Sequence, residues 1–326
     1  VMSLLDPLRF RPRALAKVWG GRRLDEFLPG GLGLDGPVGE VWMVADRDEM
    51  GSEVDGGDLE GRRLTGLMLS EREDLLGDAR PSEGDRFPLL VKYLDAAEAL
   101  SIQVHPDAAC SAKLGGEPKD ECWYVLAADP GAHVFLGLMP DVDAATFAAQ
   151  ASSHHVVDLL QRFEVRAGEF VSVPAGTVHA IGPGVTLVEV QENADTTWRL
   201  FDWDRKGLDG ELRCLHLEEA LPAIDYAATP EGPVTTSYEG KVNGRAPLLD
   251  GPAFSVEALR INEPLALDTM ARPWVYVVLG GKGSLVTDRG EWRLRRGESW
   301  LLPAALGAHR FGSVDGELEI LRVGAR

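Results

Sequence analysis

Only three cysteines, Cys110, Cys122 and Cys214, occur in 326 residues. They form neither an even set nor a Cys-x-x-Cys pair, which excludes a disulfide framework and a thiolate zinc site and points to reduced thiols. Basic residues are also scarce, with 33 Lys and Arg against 52 Asp and Glu for a net charge of −19. A surface this acidic repels a phosphodiester backbone, so nucleic acid is not an expected partner, and an anionic ligand would need a local basic pocket. Long apolar runs are missing as well. None approaches the ~18 residues of a membrane helix, and VMSLLDPLRFRPR lacks the apolar stretch of a secretory signal. The expectations are a cytoplasmic protein and no membrane partner; the sequence carries no signal for oligomeric state.

A composition of 44% hydrophobic and 26% charged residues is that of a globular chain, and 37 Gly with 20 Pro imply many turns. The length allows two domains or one large β domain. FPLLVKYL (87–94), ECWYVL (121–126), EFVSVP (169–174) and VTLVEVQ (185–191) are short apolar stretches bounded by Gly, Pro and Asp, as strands are. Helical spacing interrupts them twice, over 62–78 (Leu64, Leu67, Met68, Leu75) and 143–163 (Phe147, Val156, Leu159, Leu160). Beyond Leu221 the signals loosen through a stretch rich in Pro, Gly and Thr, which places a domain boundary near 228. From 229 to 326 the pattern is strand and Gly turn, enough for one small β-barrel.

The chemistry-bearing residues begin with SIQVHP (101–106), where Gln103 and His105 lie two apart and so share one face of a strand. Glu121 opens the next apolar strand, and His179 follows the Pro174–Gly176 turn. A carboxylate, two imidazoles and an amide oxygen suit zinc, with manganese, iron or cobalt as other occupants. A lone His on a half-buried strand is more often a core residue than a ligand, so His105 gains weight only from His179. Glu121 read alone caps a strand. His133, His154, His155 and His216 sit in turn, helical or peripheral contexts and are assigned no chemistry.

GEFVSVPAGTVH (168–179) resembles the second motif of cupins, double-stranded β-helix barrels with a metal-binding histidine. RRGESWLLPAALGAH (295–309) repeats its Gly-five-Pro part, Gly297 to Pro303, and then diverges; His309 comes too late for the ligand position. The implied fold is mainly β: two cupin-type (jelly-roll) barrels with a few helical insertions, a catalytic one over 1–228 and a degenerate, metal-free one over 229–326.

KVWGG (17–21), GEVW (39–42), DRFPLLVKYLDAAEALSIQVHPD (85–107), KDECWYVL (119–126), PAGTVHAIG (174–182) and VEVQENADTTWRLFDWDR (188–205) resemble, in order, the motifs of type I mannose-6-phosphate isomerases in their short bacterial form. The resemblance implies zinc on His105, Glu121 and His179, with Gln103 as fourth ligand. It also implies that Lys119 and Arg199 are catalytic and that Lys119, Arg199 and Arg205 meet the sugar phosphate. Trp19 and Lys92 fall within family motifs, but strand packing and a surface charge account for them nearly as well. Arg205 has an equal claim as the salt-bridge partner of Asp202 or Asp204. The implied reaction interconverts mannose 6-phosphate and fructose 6-phosphate through an enediol. Its base is left open among Lys119, a water activated at the metal and Glu192. The alternatives are a non-catalytic sugar-phosphate-binding bicupin and an isomerase of another sugar phosphate.

Overall fold

The computed structural model describes residues 5–28 and 30–326. The first half runs β1 (Leu8–Arg9), β2 (Arg13–Leu15), β3 (Glu40–Val44), α1 (Leu64–Ser70), α2 (Arg72–Leu76), β4 (Leu89–Ala96), β5 (Ile102–Val104) and α3 (Ala108–Leu114). There follow β6 (Glu121–Ala128), β7 (His133–Leu138), α4 (Ala144–Gln150), β8 (Leu160–Glu164), β9 (Glu169–Val173), β10 (His179–Ile181), β11 (Val185–Glu192), β12 (Trp198–Phe201) and α5 (Leu217–Ala223). The chain continues in strands, broken by one 3₁₀ turn at Ala304–Leu306: β13 (Val234–Thr235), β14 (Gly244–Asp250), β15 (Phe254–Ile261), β16 (Leu265–Asp268), β17 (Trp274–Val286), β18 (Glu291–Arg295), β19 (Ser299–Leu302) and β20 (Ala308–Ala325).

Three sheets result. A seven-stranded sheet has the order β13-β9-β6-β11-β4-β3-β2, and a five-stranded sheet the order β12-β5-β10-β7-β8. These two share a core in which Leu94, Trp123, Val171 and Leu187 of the first meet Val134, Leu136 and Ile181 of the second. The third sheet, of eight strands, is built from β14–β20 together with β1. Every residue of β4 is buried because both of its faces are covered. Leu89, Val91 and Tyr93 pack toward Val275, Val277 and Val323 of the third sheet, while Lys92 and Leu94, of opposite parity, face the first two sheets' interior.

Strand exchange ties the parts together. β1 pairs with β19 near the C-terminus, and β13, six residues past the expected boundary, pairs with β9 of the seven-stranded sheet. The two Gly-five-Pro copies adopt the same form: Gly168 (φ 84°) leads into β9 and Pro174, and Gly297 (φ 85°) leads into β19 and Pro303. His309 is a core histidine whose Nε2 lies 2.9 Å from the Tyr276 hydroxyl.

The helical expectations need correction in detail. The stretch 62–78 is two helices broken at Glu71 (φ −130°, ψ 28°). In 143–163 only Ala144–Gln150 is α-helical, capped by the Asp143 carboxylate, which accepts the Thr146 N–H. His154–Leu159 is a 3₁₀ helix, and Leu160 opens a strand paired with β7. Leu160 is therefore buried as a strand residue under a sheet, a setting that local spacing cannot distinguish from a helix face.

Candidate active site

The donors stand at strand ends on facing sheets. His105 follows β5, His179 opens β10, and Glu121 opens β6 of the other sheet. His179 sits directly across from Gln103 in the β10–β5 pairing. The Nε2 atoms of His105 and His179 each lie 3.3 Å from a Glu121 oxygen, Oε2 and Oε1 respectively. The three ligand atoms lie within 4.8 Å of one another, and all three side chains are about 1% exposed.

Electrostatics prepares this set for a cation. His179 Nδ1 donates to the Thr177 carbonyl at 2.8 Å, which fixes the tautomer whose Nε2 lone pair faces Glu121. Burial, helped by the Lys119 charge, pushes His105 down to about 3, and burial also lowers His179, so both rings are neutral at pH 7. Burial pushes the Glu121 carboxyl up, but the Lys119 charge outweighs it and holds the group well below the carboxylate range. Among the described residues no well-aligned hydrogen bond reaches either Glu121 oxygen, and the His105 Nδ1 is buried without a partner. The charge that offsets Glu121 is the Lys119 ammonium, with Nζ 2.7 Å from Oε2 and 3.1 Å from His105 Nε2. Two neutral imidazoles and a carboxylate in a dry pocket fit a divalent metal with a position left open. An ion held there would compete with Lys119 for Oε2.

Gln103 is beside this set but presents the other end of its amide. Its Nε2 lies 3.1 Å from His179 Nε2, and its Oε1 accepts from Ser101 at 3.0 Å. To act as a ligand it would need the opposite amide orientation.

A cavity of about 520 Å³ lies beside the donors, lined by Gln103, Lys119 and Arg199 among others but not by His105, Glu121 or His179 themselves. Its lining carries five cations (Lys17, Lys92, Lys119, Arg199, Arg213) against three carboxylates (Glu40, Glu189, Asp195). In a chain of net charge −19 this is a basic island. Arg205 is not among the lining residues; it pairs with Asp202 at 2.7 Å and donates to the Ala99 carbonyl at 2.6 Å. Glu192 is not among them either, and instead accepts the Asp120 N–H at 2.8 Å.

Several lining residues fall within the quoted motifs but were not assigned to the site from the sequence. Lys92 is buried and not a surface charge: it pairs with Glu189 at 3.0 Å and lies over the Trp42 ring at 5.2 Å. Glu40 pairs with Lys17 at 2.9 Å, and although burial pushes it up, Lys92 and Lys17 hold its carboxyl at about 2. Trp19, also buried, lines the same space. Lys92 shares strand parity with Leu90 and Leu94, and a charge at an inward position was the available signal. His216 and Arg213 line the cavity from a segment that carries no motif.

Fold and site together define a mainly β, cupin-type protein with a metal-capable centre at the edge of a cationic cavity. The family model for the phosphomannose isomerase type I catalytic domain matches residues 8–130. The mannose-6-phosphate isomerase of Streptococcus mutans serotype c is 35% identical over 329 residues, covering 98% of both chains. Mannose-6-phosphate isomerase ManA of Bacillus subtilis strain 168 is 34% identical over 93% of this chain and 94% of its own. The crystal structure of the mannose 6-phosphate isomerase from Bacillus subtilis superposes with a TM-score of 0.88 at 28% identity, covering 98% of this chain and 99% of that one. The chain belongs to the type I phosphomannose isomerase family.

Proposed function

We propose that this protein interconverts mannose 6-phosphate and fructose 6-phosphate as a metal-dependent aldose–ketose isomerase. The observation that carries the reading is the convergence of His105, Glu121 and His179 beside a basic cavity, in a chain that matches mannose-6-phosphate isomerases end to end. His105, Glu121 and His179 would hold the ion, with Gln103 as fourth donor, and the nitrogen–oxygen set favours zinc. When bound, the ion supplies Lewis acidity toward neighbouring sugar oxygens, or anchors them.

The chain's own side chains account for the remaining work. Moving a proton between C2 and C1 builds negative charge on the adjacent oxygens. The fixed guanidinium of Arg199, at the cavity wall, stabilises charge that develops there. Lys119 lies between the donor set and the cavity, so its ammonium can hold or pass a proton at a substrate oxygen. Trp19 and Leu94 line the same cavity and supply apolar surface beside its charged groups. A division near residue 228 belongs to this reading, since every donor lies between 103 and 179 and the C-terminal sheet buries the outer face of β4. The free thiols of Cys110, Cys122 and Cys214 fit the reducing cytoplasm.

Incubating purified protein with fructose 6-phosphate and a divalent metal should yield mannose 6-phosphate. Tight binding of fructose 6-phosphate without turnover would instead identify a sugar-phosphate-binding protein. Turnover of a different sugar phosphate in its place would move the specificity and keep the chemistry.

A further inference from the structure

Just after β12 the chain reverses through two consecutive non-glycine residues in the left-handed region, Trp203 (φ 59°) and Asp204 (φ 52°). Such turns persist where the surrounding contacts over-determine them. This one sets Asp202, whose buried carboxylate takes two arginines. Arg213 reaches it through Nε at 2.5 Å and Nη2 at 2.6 Å. Arg205 reaches it through Nη2 at 2.7 Å and Nε at 3.2 Å, and a third nitrogen of Arg205 is bound to the Ala99 carbonyl. Of the two, Arg213 lines the cavity.

The returning segment is laced to β12. The His216 N–H donates to the Arg199 carbonyl at 2.8 Å, and the Arg199 N–H donates to His216 Nδ1 at 3.1 Å. Arg199 and Arg213 thus come from adjacent stretches of chain. Burial and then the charge of Arg213 pull the Arg199 guanidinium below its ordinary range. Among the described residues Arg199 has no carboxylate within ion-pair distance; Nη1 donates to the Cys214 carbonyl at 3.4 Å, and Nε is buried without a partner. Asp202 is shared by Arg213 and Arg205, the exposed Glu98 lies 3.9 Å from Arg205 as a further carboxylate, and Arg199 adds a cation that no carboxylate pairs among the described residues. Asp195 also lines the cavity and offsets part of this. Two neighbouring guanidiniums repel unless an anion joins them, and a phosphate monoester carries about −1.5 to −2 near pH 7.

We propose that Arg213, positioned by Asp202, meets the substrate's phosphate group alongside Arg199, while Arg205 is a positioning residue that acts through Asp202. The inference rests on the sugar-phosphate reading above and names the residue that anchors the phosphate. Guanidinium is suited to this because its planar fork makes paired hydrogen bonds to phosphate oxygens.

The test compares wild type, Arg213→Gln, Arg213→Lys and Arg205→Gln in fructose 6-phosphate isomerisation, with inorganic phosphate as competing inhibitor and metal content measured on each protein. Arg213→Gln should raise both KM and the phosphate inhibition constant about tenfold or more, with kcat within about threefold, because uniform binding is what it removes. Arg213→Lys should recover part of the loss, and Arg205→Gln should change both constants less than Arg213→Gln does. A phosphate inhibition constant within about twofold of wild type in Arg213→Gln, or a larger effect from Arg205→Gln, overturns the proposal. If Arg213→Gln fails to fold, Asp202→Asn combined with Arg213→Gln removes the carboxylate with its partner and is read in the same way. If wild type does not isomerise, the substrate reading fails on its own, and calorimetric titration of the same proteins with inorganic phosphate still decides whether Arg213 binds it.

Discussion

Replacing Lys119 by Met removes the buried ammonium that sits 2.7 Å from Glu121 Oε2 and 3.1 Å from His105 Nε2. Without metal, Glu121 is then a buried carboxylate with no cation beside it. Breaking a buried ion pair from one side costs about 3–5 kcal/mol. With an unfolding entropy of about 2.1 cal/mol/K per residue, that lowers the melting temperature of a chain of this length by roughly 4–7 °C. The wild-type Glu121 carboxyl is held well below the carboxylate range, so its stabilisation is present above the unfolded pKa of about 4.3 and is lost as pH falls through the folded value. Loss of Lys119 lifts the folded value, the carboxyl takes a proton more easily, and the variant's deficit should shrink as pH falls. Saturating zinc replaces the missing charge and should narrow the gap to about 1 kcal/mol, while Glu121→Gln in the same chain should restore most of the loss without metal. The assay is thermal and denaturant unfolding with chelator and with zinc. A Lys119→Met protein as stable as wild type without metal, or a deficit that zinc leaves unchanged, would refute the reasoning.

Further outcomes follow from the same geometry. His179→Ala should lose bound metal in elemental analysis and activity with it, whereas Arg199→Ala should retain metal and lose about 10²–10³ in kcat. The metal-free protein should weaken as pH falls below about 6.5, since unfolded chains protonate His105 and His179 while the folded rings stay neutral. For His105 the slope approaches roughly 1.4 kcal/mol per pH unit down toward its folded value of about 3, His179 adds in the same direction, and denaturant titrations at successive pH values measure it. Lys92→Met leaves Glu40 and Glu189 facing one buried methionine and should destabilise the fold by about 3–5 kcal/mol, with Lys92→Arg milder.

Strands β4, β6, β9 and β11 were legible because each is a short apolar stretch bounded by Gly, Pro or Asp, but of these only β6 carries a donor; the other donors lie on or beside the short β5 and β10. His105, Glu121 and His179 were legible through motif order, and they converge as that order implies. The helices were less so. Leu160 has the spacing of a helix face yet belongs to a strand, because pairing with β7 outweighs local periodicity. α3 has no buried residue, so it offers no apolar stripe to read. Among the cavity cations, Lys17, Lys92 and Arg213 come from three separate stretches, and only the sheet pairings and the turn after β12 bring them to one space. Arg205 lies within the recognisable WRLFDWDR motif, but the same motif supplies the carboxylate that holds it.

Three buried side chains, His105, Glu121 and His179, are assigned one divalent ion on which isomerisation depends. This assignment is tested most directly by stripping the protein with chelator and titrating zinc back while following conversion of fructose 6-phosphate to mannose 6-phosphate. Activity should vanish on stripping and return in proportion to bound metal, saturating at about one ion per chain, and it should not return in His179→Ala. Full activity in metal-free protein, or none in the metal-saturated protein, would rule out a metal-dependent isomerase at this site.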